Sequence, residues 1–154
     1  MKTCCVTGHR KIEESQIDYV RESLRNEIKQ AIADGYTCFM TGFADGVDQY
    51  FADLVIEFKK EYSELKLIAA IPYRNRLQSL AKKEHTKAIL DACSDIVVIR
   101  EEYLPDVYYR RNRYMVENSD RVIAVYDGRD KGGTVVTIRF ARSLKKELRE
   151  ILVK

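Results

Sequence analysis

The sequence has few prolines, histidines and cysteines, and it has no long apolar run. Its two prolines, Pro72 and Pro105, each lie just past a predicted strand. No run approaches the roughly 18 apolar residues of a membrane span, and His9 and Arg10 interrupt the amino end too early for a signal peptide. The four cysteines and the histidines His9 and His85 lack metal-ligand spacing, so no metal site is predicted. Cysteines within apolar runs are usually buried free thiols, and we expect a cytoplasmic protein without membrane contact.

An excess of one charge is also missing. The chain has 27 Lys and Arg against 24 Asp and Glu, a net charge of +3, which does not predict a nucleic-acid partner. Hydrophobic residues make up 45% and charged residues 33% of the 154 residues, which excludes a disordered chain. We therefore predict one globular domain over residues 1–154.

Short apolar runs alternate with amphipathic stretches along the chain. Five runs predict strands, at Thr3–Thr7, Thr37–Thr41, Leu67–Ile71, Ile96–Ile99 and Arg121–Tyr126. Apolar residues at three- and four-residue steps predict five helices, at about 17–31, 47–58, 77–90 and 106–115, and a last one carrying Ala141, Leu144, Leu148 and Ile151. This alternation predicts an α/β fold, a Rossmann-like three-layer sandwich with a mostly parallel sheet of about five strands and helices on both faces.

Glycine and basic residues gather where the predicted strands end. The segments that follow the strands are Gly8-His9-Arg10, Gly42 to Asp48, Tyr73 to Arg76, and Asp127-Gly128, with Gly132-Gly133-Thr134 shortly after. Ligands of open α/β sheets bind outside the carboxyl ends of the strands. The sequence therefore predicts a binding site along this one rim.

Two of these segments place glycines directly before a predicted helix. Backbone amides at a helix amino end attract anions, and glycine lets a phosphate approach closely, so both 42–48 and 132–134 are candidate phosphate sites. Each is equally compatible with an ordinary turn that needs glycine for its backbone angles. The first has neither the ending of a P-loop nor the GxGxxG order of a dinucleotide site.

Other rim residues have two interpretations each. Arg10 can pair with a phosphate and His9 can act as a general acid or base, although both residue types are common on surface loops. The run from Arg110 to Arg113, with tyrosines on either side, suits a stacked base with its phosphates or a solvated helix face. Tyr73 and Arg74 either close over a ligand or belong to a plain polar loop.

Taken in order, the motifs resemble a known family. TGHR at 7–10, TGFADGVDQYFA at 41–52, IPYRNR at 71–76, RNRYMVENSDRVIAVYDG at 111–128 and KGGT at 131–134 resemble the YpsA-like family of the SLOG superfamily, named for its Smf/DprA and LOG branches. The resemblance covers nearly the whole chain. It implies a pocket for a nucleotide or nucleotide-derived ligand, such as ADP-ribose, NAD or an AMP-like molecule. It also implies a sensor or signalling module related to stress or cell division, with a homodimer and a division protein as partners.

The resemblance also implies a set of site residues and no settled reaction. Carried onto this sequence, it gives a phosphate loop from Gly42 to Gly46 with Asp48, and a second anion site at 132–134. Together with the rim residues, the predicted ligand-binding set is Gly8, His9, Arg10, Gly42, Phe43, Gly46, Asp48, Tyr73, Arg74, Arg111, Asn112, Arg113, Asp127, Gly132, Gly133 and Thr134.

Two positions depart from the family pattern. Phe43 stands where many relatives have a small residue, which either hinders a phosphate or offers a ring for stacking. Thr137 stands at the glutamate of PGGxGTxxE, the motif of the LOG branch that removes ribose phosphate from a nucleotide base. We therefore favour a binding module over an enzyme and assign no catalytic residue. The alternatives are an N-glycosidase that uses Asp48, Asp127 or Glu117 as its carboxylate, and a DprA-like single-stranded DNA binder.

Overall fold

The computed structural model describes residues 1–154, which form six strands and six helices. The strands are β1 (Lys2–Gly8), β2 (Tyr36–Thr41), β3 (Lys66–Tyr73), β4 (Asp95–Arg100), β5 (Arg121–Tyr126) and β6 (Glu147–Leu152). The helices are α1 (Glu14–Ala33), α2 (Val47–Lys59), α3 (Arg74–Ala81), α4 (Glu84–Ala92), α5 (Val107–Glu117) and α6 (Gly133–Ser143). None of these helices combines the length and apolar character that a membrane crossing requires.

All six strands form one parallel sheet in the order β4-β3-β2-β1-β5-β6. The chain builds outward from β1 to β4, then returns through α5 and places β5 on the other side of β1. This order confirms the predicted Rossmann-like α/β fold. The reversal makes the carboxyl ends of β1 and β5 the topological switch point, where such sheets hold their ligands.

The helices cover both faces of the sheet, and each face has its own core. The larger core packs Phe39 of β2 against α1, α2 and α4, with Phe51 of α2 among its fully buried side chains. The smaller core packs Met115 of α5 and Ala141 of α6 against the opposite face. Adjacent residues of a strand point to opposite faces, so Cys4 lies in the larger core and Cys5 in the smaller one. Burial raises the pKa of the Cys5 thiol to about 12, as expected for a small buried side chain without redox exposure.

The prediction of five strands and a last helix running to Ile151 is wrong at its end. Helix α6 ends at Ser143, Lys145 adopts a left-handed backbone conformation with φ of 56°, and β6 follows in parallel with β5. The spacing of three between Leu148 and Ile151 puts both on one side of a helix but on opposite faces of a strand. In the structure Leu148 contacts the smaller core, whereas Ile151 belongs to the larger one.

The segment after the third strand also differs from its prediction. Strand β3 runs through Pro72 to Tyr73, and α3 begins at Arg74, so Tyr73 to Arg76 is a strand end and a helix start instead of a loop. Pro72 is tolerated because the pairing of β3 with β2 stops at Ala69. In place of the predicted third helix the structure has two helices, α3 and α4, with a break in helical geometry between them.

Candidate ligand-binding cleft

A cleft of about 790 Å³ opens at the carboxyl ends of β1 and β5, at the switch point of the sheet. Its volume lies in the range of small-molecule and cofactor sites. The lining is mostly polar, and it consists of Val6, Thr7, Gly8, His9, Arg10, Lys11, Glu13, Ala44, Asp48, Tyr108, Arg111, Asn112, Met115, Arg129, Gly132, Gly133 and Thr134.

More than half of the predicted site residues lie together on this lining. They are Gly8, His9, Arg10, Asp48, Arg111, Asn112, Gly132, Gly133 and Thr134. Seven others lie behind the lining or away from it, namely Gly42, Phe43, Gly46, Tyr73, Arg74, Arg113 and Asp127. The cleft therefore opens at the edge of the sheet that the rim rule predicts, while the position of each side chain depends on how the loops pack.

The amino end of α6 faces the cleft without a cap. Gly132 occupies the N-cap position with φ of 111°, and no side chain accepts a hydrogen bond from the first turn of the helix. The first amides of a helix have no partner within it and carry a partial positive charge, which makes an uncapped end an anion site. A Cβ on Gly133 would come no closer than 3.7 Å to its nearest neighbour, Nδ2 of Asn112, so there is open space above this end.

The loop between β2 and α2, predicted to bind phosphate, instead holds an anion of its own. The amide of Ala44 donates to the carboxylate of Asp48 at 3.1 Å, and the hydroxyl of Thr41 donates to the Asp48 carbonyl at 3.0 Å. Asp48 is only 6% exposed. The side chain of Asp48 thus occupies the place at the loop amide where an external anion would bind, and the loop presents Asp48 and Ala44 to the cleft.

The glycines of the same loop are needed for close packing. Gly46 has φ of 79°, and a Cβ there would lie 2.4 Å from the carbonyl oxygen of Arg10. A Cβ on Gly42 would lie 2.6 Å from Nη1 of Arg111, which donates to the Gly42 carbonyl at the same 2.6 Å separation. Phe43 is fully buried in the larger core, so its ring does not face the cleft. A bulky substitution at Gly46 would therefore disturb the fold itself and cannot test ligand binding.

Arg111 and Asp48 form the charged floor of the cleft. Arg111 is 5% exposed, and besides Gly42 its guanidinium donates to Oδ1 of Asn112 at 2.9 Å. Burial lowers the pKa of Arg111, although the nearby Asp48 acts against this effect. Burial also raises the pKa of Asp48 to about 6, with Arg111 acting in the opposite direction. The floor is therefore a buried cation beside a carboxyl group that titrates just below neutral pH.

His9, Asp127 and Arg129 form a second polar group at the ends of β1 and β5. The Asp127 amide donates to Nε2 of His9 at 3.2 Å, and Arg129 pairs with the Asp127 carboxylate through its Nε at 2.9 Å. Burial lowers the pKa of His9, whereas the Asp127 carboxylate, with Oδ1 3.2 Å from Nε2 of the ring, acts in the opposite direction. Hydrogen bonds from Arg129 hold the pKa of Asp127 well below its usual range. Asp127 is thus a fixed anion that orients His9 and Arg129, which both line the cleft.

Three predicted residues have structural partners elsewhere. Arg74 pairs with Glu101 at 2.8 Å, and Arg113 pairs with Glu117 along the exposed side of α5. Tyr73 packs edge-on against Tyr103 and Tyr108, with ring centroids 5.3 and 6.3 Å away. Of the arginine run on α5, the structure turns Arg111 and Asn112 toward the cleft and Arg113 away from it.

Several lining residues were absent from the predicted set. Lys11, Glu13, Ala44, Tyr108 and Arg129 all contribute to the cleft. Extending the rim rule to every residue of the loops after β1 and β5 would have found Lys11 and Arg129. Tyr108 needed the structure, because its role depends on two guanidinium groups that share its ring, those of Arg10 and Arg111 at 5.1 and 5.7 Å from the ring centroid.

Comparison with known proteins identifies the family of this chain. The family model described as the YspA SLOG family matches residues 4–151, which is almost the entire chain. The chain belongs to the YspA SLOG family. Two relatives of this SLOG chain are both named UPF0398 protein. The relative from Ligilactobacillus salivarius (strain UCC118) is 26% identical over 140 residues, covering 84% of this chain and 76% of its own length. The relative from Bacillus thuringiensis (strain Al Hakam) is 24% identical over 153 residues, covering 92% of this chain and 83% of its own length.

Solved structures of similar fold also belong to longer chains. An X-ray structure of TM1055 superposes with a TM-score of 0.61 at 18% identity, covering 96% of this chain and 72% of its own. A second structure is that of DNA processing protein A from Helicobacter pylori, described for its single-stranded DNA binding mode. It superposes with a TM-score of 0.72 at 19% identity, covering 99% of this chain and 66% of its own. At these identities the likeness shows a shared Rossmann-like fold, and the function has to be argued from the cleft.

Proposed function

We propose that this SLOG chain is a single binding domain whose cleft takes a nucleotide or a nucleotide-derived ligand, with a phosphate group at the amino end of α6. The observation that supports this most directly is the uncapped end of α6, which opens into a cleft of about 790 Å³ at the switch point. The guanidinium groups of Arg10 and Arg111 face the same space, and charge-assisted hydrogen bonds to phosphate are the strong ones.

Isothermal titration with AMP, ADP, ATP, NAD and ADP-ribose tests the proposal. A ligand at 100 times its dissociation constant stabilises a protein by about 2.7 kcal/mol, so a parallel thermal scan should show a midpoint higher by roughly 5–10 °C for a chain of this size. We expect binding by at least one of these ligands and none by adenosine, which has no phosphate. Equal binding of adenosine and AMP would contradict a phosphate site at α6.

Gly133→Asp is the variant that addresses the end of α6 directly. The backbone of Gly133 is not left-handed and a Cβ fits there, so the new carboxylate lies in the first turn of the helix and can occupy the anion position. We expect at least about tenfold weaker nucleotide binding, the loss of one charged hydrogen bond, with stability unchanged or raised by about 0.3–1 kcal/mol. Gly133→Ala is the control for added bulk and should bind normally. Normal binding by Gly133→Asp would move the phosphate elsewhere.

Hydrolysis of an N-glycosidic bond is a second candidate function, favoured by one observation. Asp48 lines the cleft, and its pKa of about 6 leaves part of its population protonated near neutral pH, as a general acid requires. The test is chromatographic detection of free base from AMP and from cytokinin riboside phosphates, with Asp48→Asn as the inactive control. Binding of these nucleotides without release of base would leave the binding module as the function.

Single-stranded DNA remains the alternative ligand, because the similar DNA processing protein A is described as binding it. A competition of oligo(dT) against the bound nucleotide distinguishes the two. Tighter binding of the oligonucleotide would replace the nucleotide proposal. The sensing role in stress or cell division rests on the family resemblance alone. The proposed homodimer has one support, since Tyr109 of α5 is 48% exposed and stacks on Phe140 of α6; light scattering on the purified chain tests it.

A further inference from the structure

A small recess opens beside the cleft, and its walls carry three arginines. It has a volume of about 100 Å³ and is lined by Arg10, Ala44, Asp45, Arg76, Tyr108 and Arg111. We call it the arginine recess. It shares Arg10, Ala44, Tyr108 and Arg111 with the cleft, whereas Arg76 lines the recess alone. A volume of this size corresponds to about three water molecules of the liquid, which fits one phosphate group and excludes a nucleoside.

The three guanidinium groups lack the carboxylate partners that other arginines of the chain have. Arg74 pairs with Glu101 and Arg113 with Glu117, but none of the three recess arginines lies within 4 Å of a carboxylate oxygen. Arg76 donates to the carbonyl of Phe43 at 3.0 Å, and Arg111 donates to the Gly42 carbonyl and the Asn112 side chain.

The proximity of the three guanidinium groups is unfavourable without an anion. Arg10 and Arg76 both lower the pKa of the buried Arg111, an effect that adds to the larger one of burial. Asp45, the one carboxylate on the recess wall, is engaged by Gln49 at 3.2 Å instead of by an arginine. The buried Asp48 compensates part of this charge, but the three convergent cations, one of them only 5% exposed, still leave a net positive charge that an external anion would stabilise.

The recess and the amino end of α6 are different places on the cleft wall. Gly133 adjoins Asn112, and Asn112 in turn accepts from Arg111, so the side chain of Asn112 separates the two anion sites. From this arrangement we propose that the arginine recess is a second phosphate subsite, and that the ligand is a nucleotide carrying at least two phosphate groups. The inference rests on the proposed function, because the first phosphate lies at α6.

The test compares AMP, ADP and adenosine 3′,5′-bisphosphate by isothermal titration at one fixed ionic strength. We expect at least one of the two doubly phosphorylated ligands to bind about tenfold or more tightly than AMP, the effect of one charged hydrogen-bonded group. Tighter binding of ADP would indicate that the two phosphate groups of the ligand are adjacent. Tighter binding of the bisphosphate would indicate that the ribose separates them. Equal affinity of all three would overturn the second subsite while leaving the nucleotide proposal intact. Failure of all three to bind would overturn both.

Substitution of Arg76 tests the second phosphate subsite independently of the first. Arg76→Gln should abolish the advantage of the second phosphate and leave AMP affinity within about twofold, because Arg76 does not line the main cleft. Arg139→Gln, which removes the same charge from an exposed position of α6, should keep the full advantage. Arg76→Lys, which retains the charge, should keep part of it, and circular dichroism establishes that each variant is folded. Loss of affinity for AMP and the doubly phosphorylated ligands in equal proportion in Arg76→Gln would overturn the proposal.

Discussion

At the residue scale, Asp48 couples the charge of the cleft to pH. Its carboxyl group has a pKa raised to about 6 by burial and lies close to the guanidinium of Arg111. As pH falls through 6, Asp48 loses its negative charge and the cationic floor of the cleft becomes uncompensated. Anionic ligands should then bind more tightly, whereas an ordinary exposed aspartate, already ionised at pH 5, would produce no change in this range.

We predict that NAD affinity rises as pH falls from 7.5 to 5.5, by several-fold. NAD is the suitable ligand because its diphosphate linkage does not titrate in this range, unlike the second ionisation of a phosphate monoester near pH 6. In Asp48→Asn the affinity should vary much less over the same range and at pH 7.5 should match or exceed that of the unmodified chain. Persistence of the full pH dependence in Asp48→Asn would assign it to another group, with His9 the first to examine.

At the scale of single elements, β6 is where sequence pattern and structure diverge. Glu147 to Leu152 has no continuous apolar run, and its apolar residues continue the spacing of α6, so a helix was the natural prediction. The position of Lys145 in the left-handed region ends the helix and leaves room for a sixth strand against β5. Only the free edge of β5, a tertiary feature, could have indicated that outcome.

Substitution within β6 tests its side-chain assignment. Ile151 is 5% exposed in the larger core and Leu152 is 63% exposed. We predict that Ile151→Ala lowers the free energy of unfolding by about 2–4 kcal/mol, the cost of a cavity in a packed core, whereas Leu152→Ala costs less than about 0.5 kcal/mol. Urea denaturation followed by circular dichroism measures both. Similar costs for the two variants would contradict the strand register.

The whole molecule shows which parts of the site follow from sequence alone. Apolar runs located five of the six strands, and their ends located the cleft, because parallel strands put their carboxyl ends on one edge. The occupants of the cleft wall were harder to predict. The Gly42 carbonyl accepts a hydrogen bond from the guanidinium of Arg111, a residue 69 positions later, so the predicted phosphate loop also supports Arg111. Local motifs do not encode such a long-range partner.

At the scale of the whole molecule, the salt dependence of ligand affinity distinguishes a discrete nucleotide pocket from an extended groove that binds single-stranded DNA. The proposed nucleotide has about two phosphate groups in contact, so its affinity should decline with salt by a logarithmic slope of about −2 or shallower. An extended single strand that follows many cations would give a steeper slope, about −0.7 for each phosphate neutralised. Titration of the preferred nucleotide and of oligo(dT) from 50 to 300 mM NaCl measures both. A steep slope together with tighter oligonucleotide binding would favour DNA.

The position of β1 at the centre of the sheet has a kinetic consequence. The cleft lies between β1 and β5, and its two sides meet through contacts such as His9 with the Asp127 amide, 118 positions apart. Closing a loop of that length is slow compared with forming neighbouring pairs such as β1 with β2. A nascent or refolding chain therefore acquires its binding site only after β5 has docked. Nucleotide present during refolding should leave the early phases unchanged and act on the species formed last.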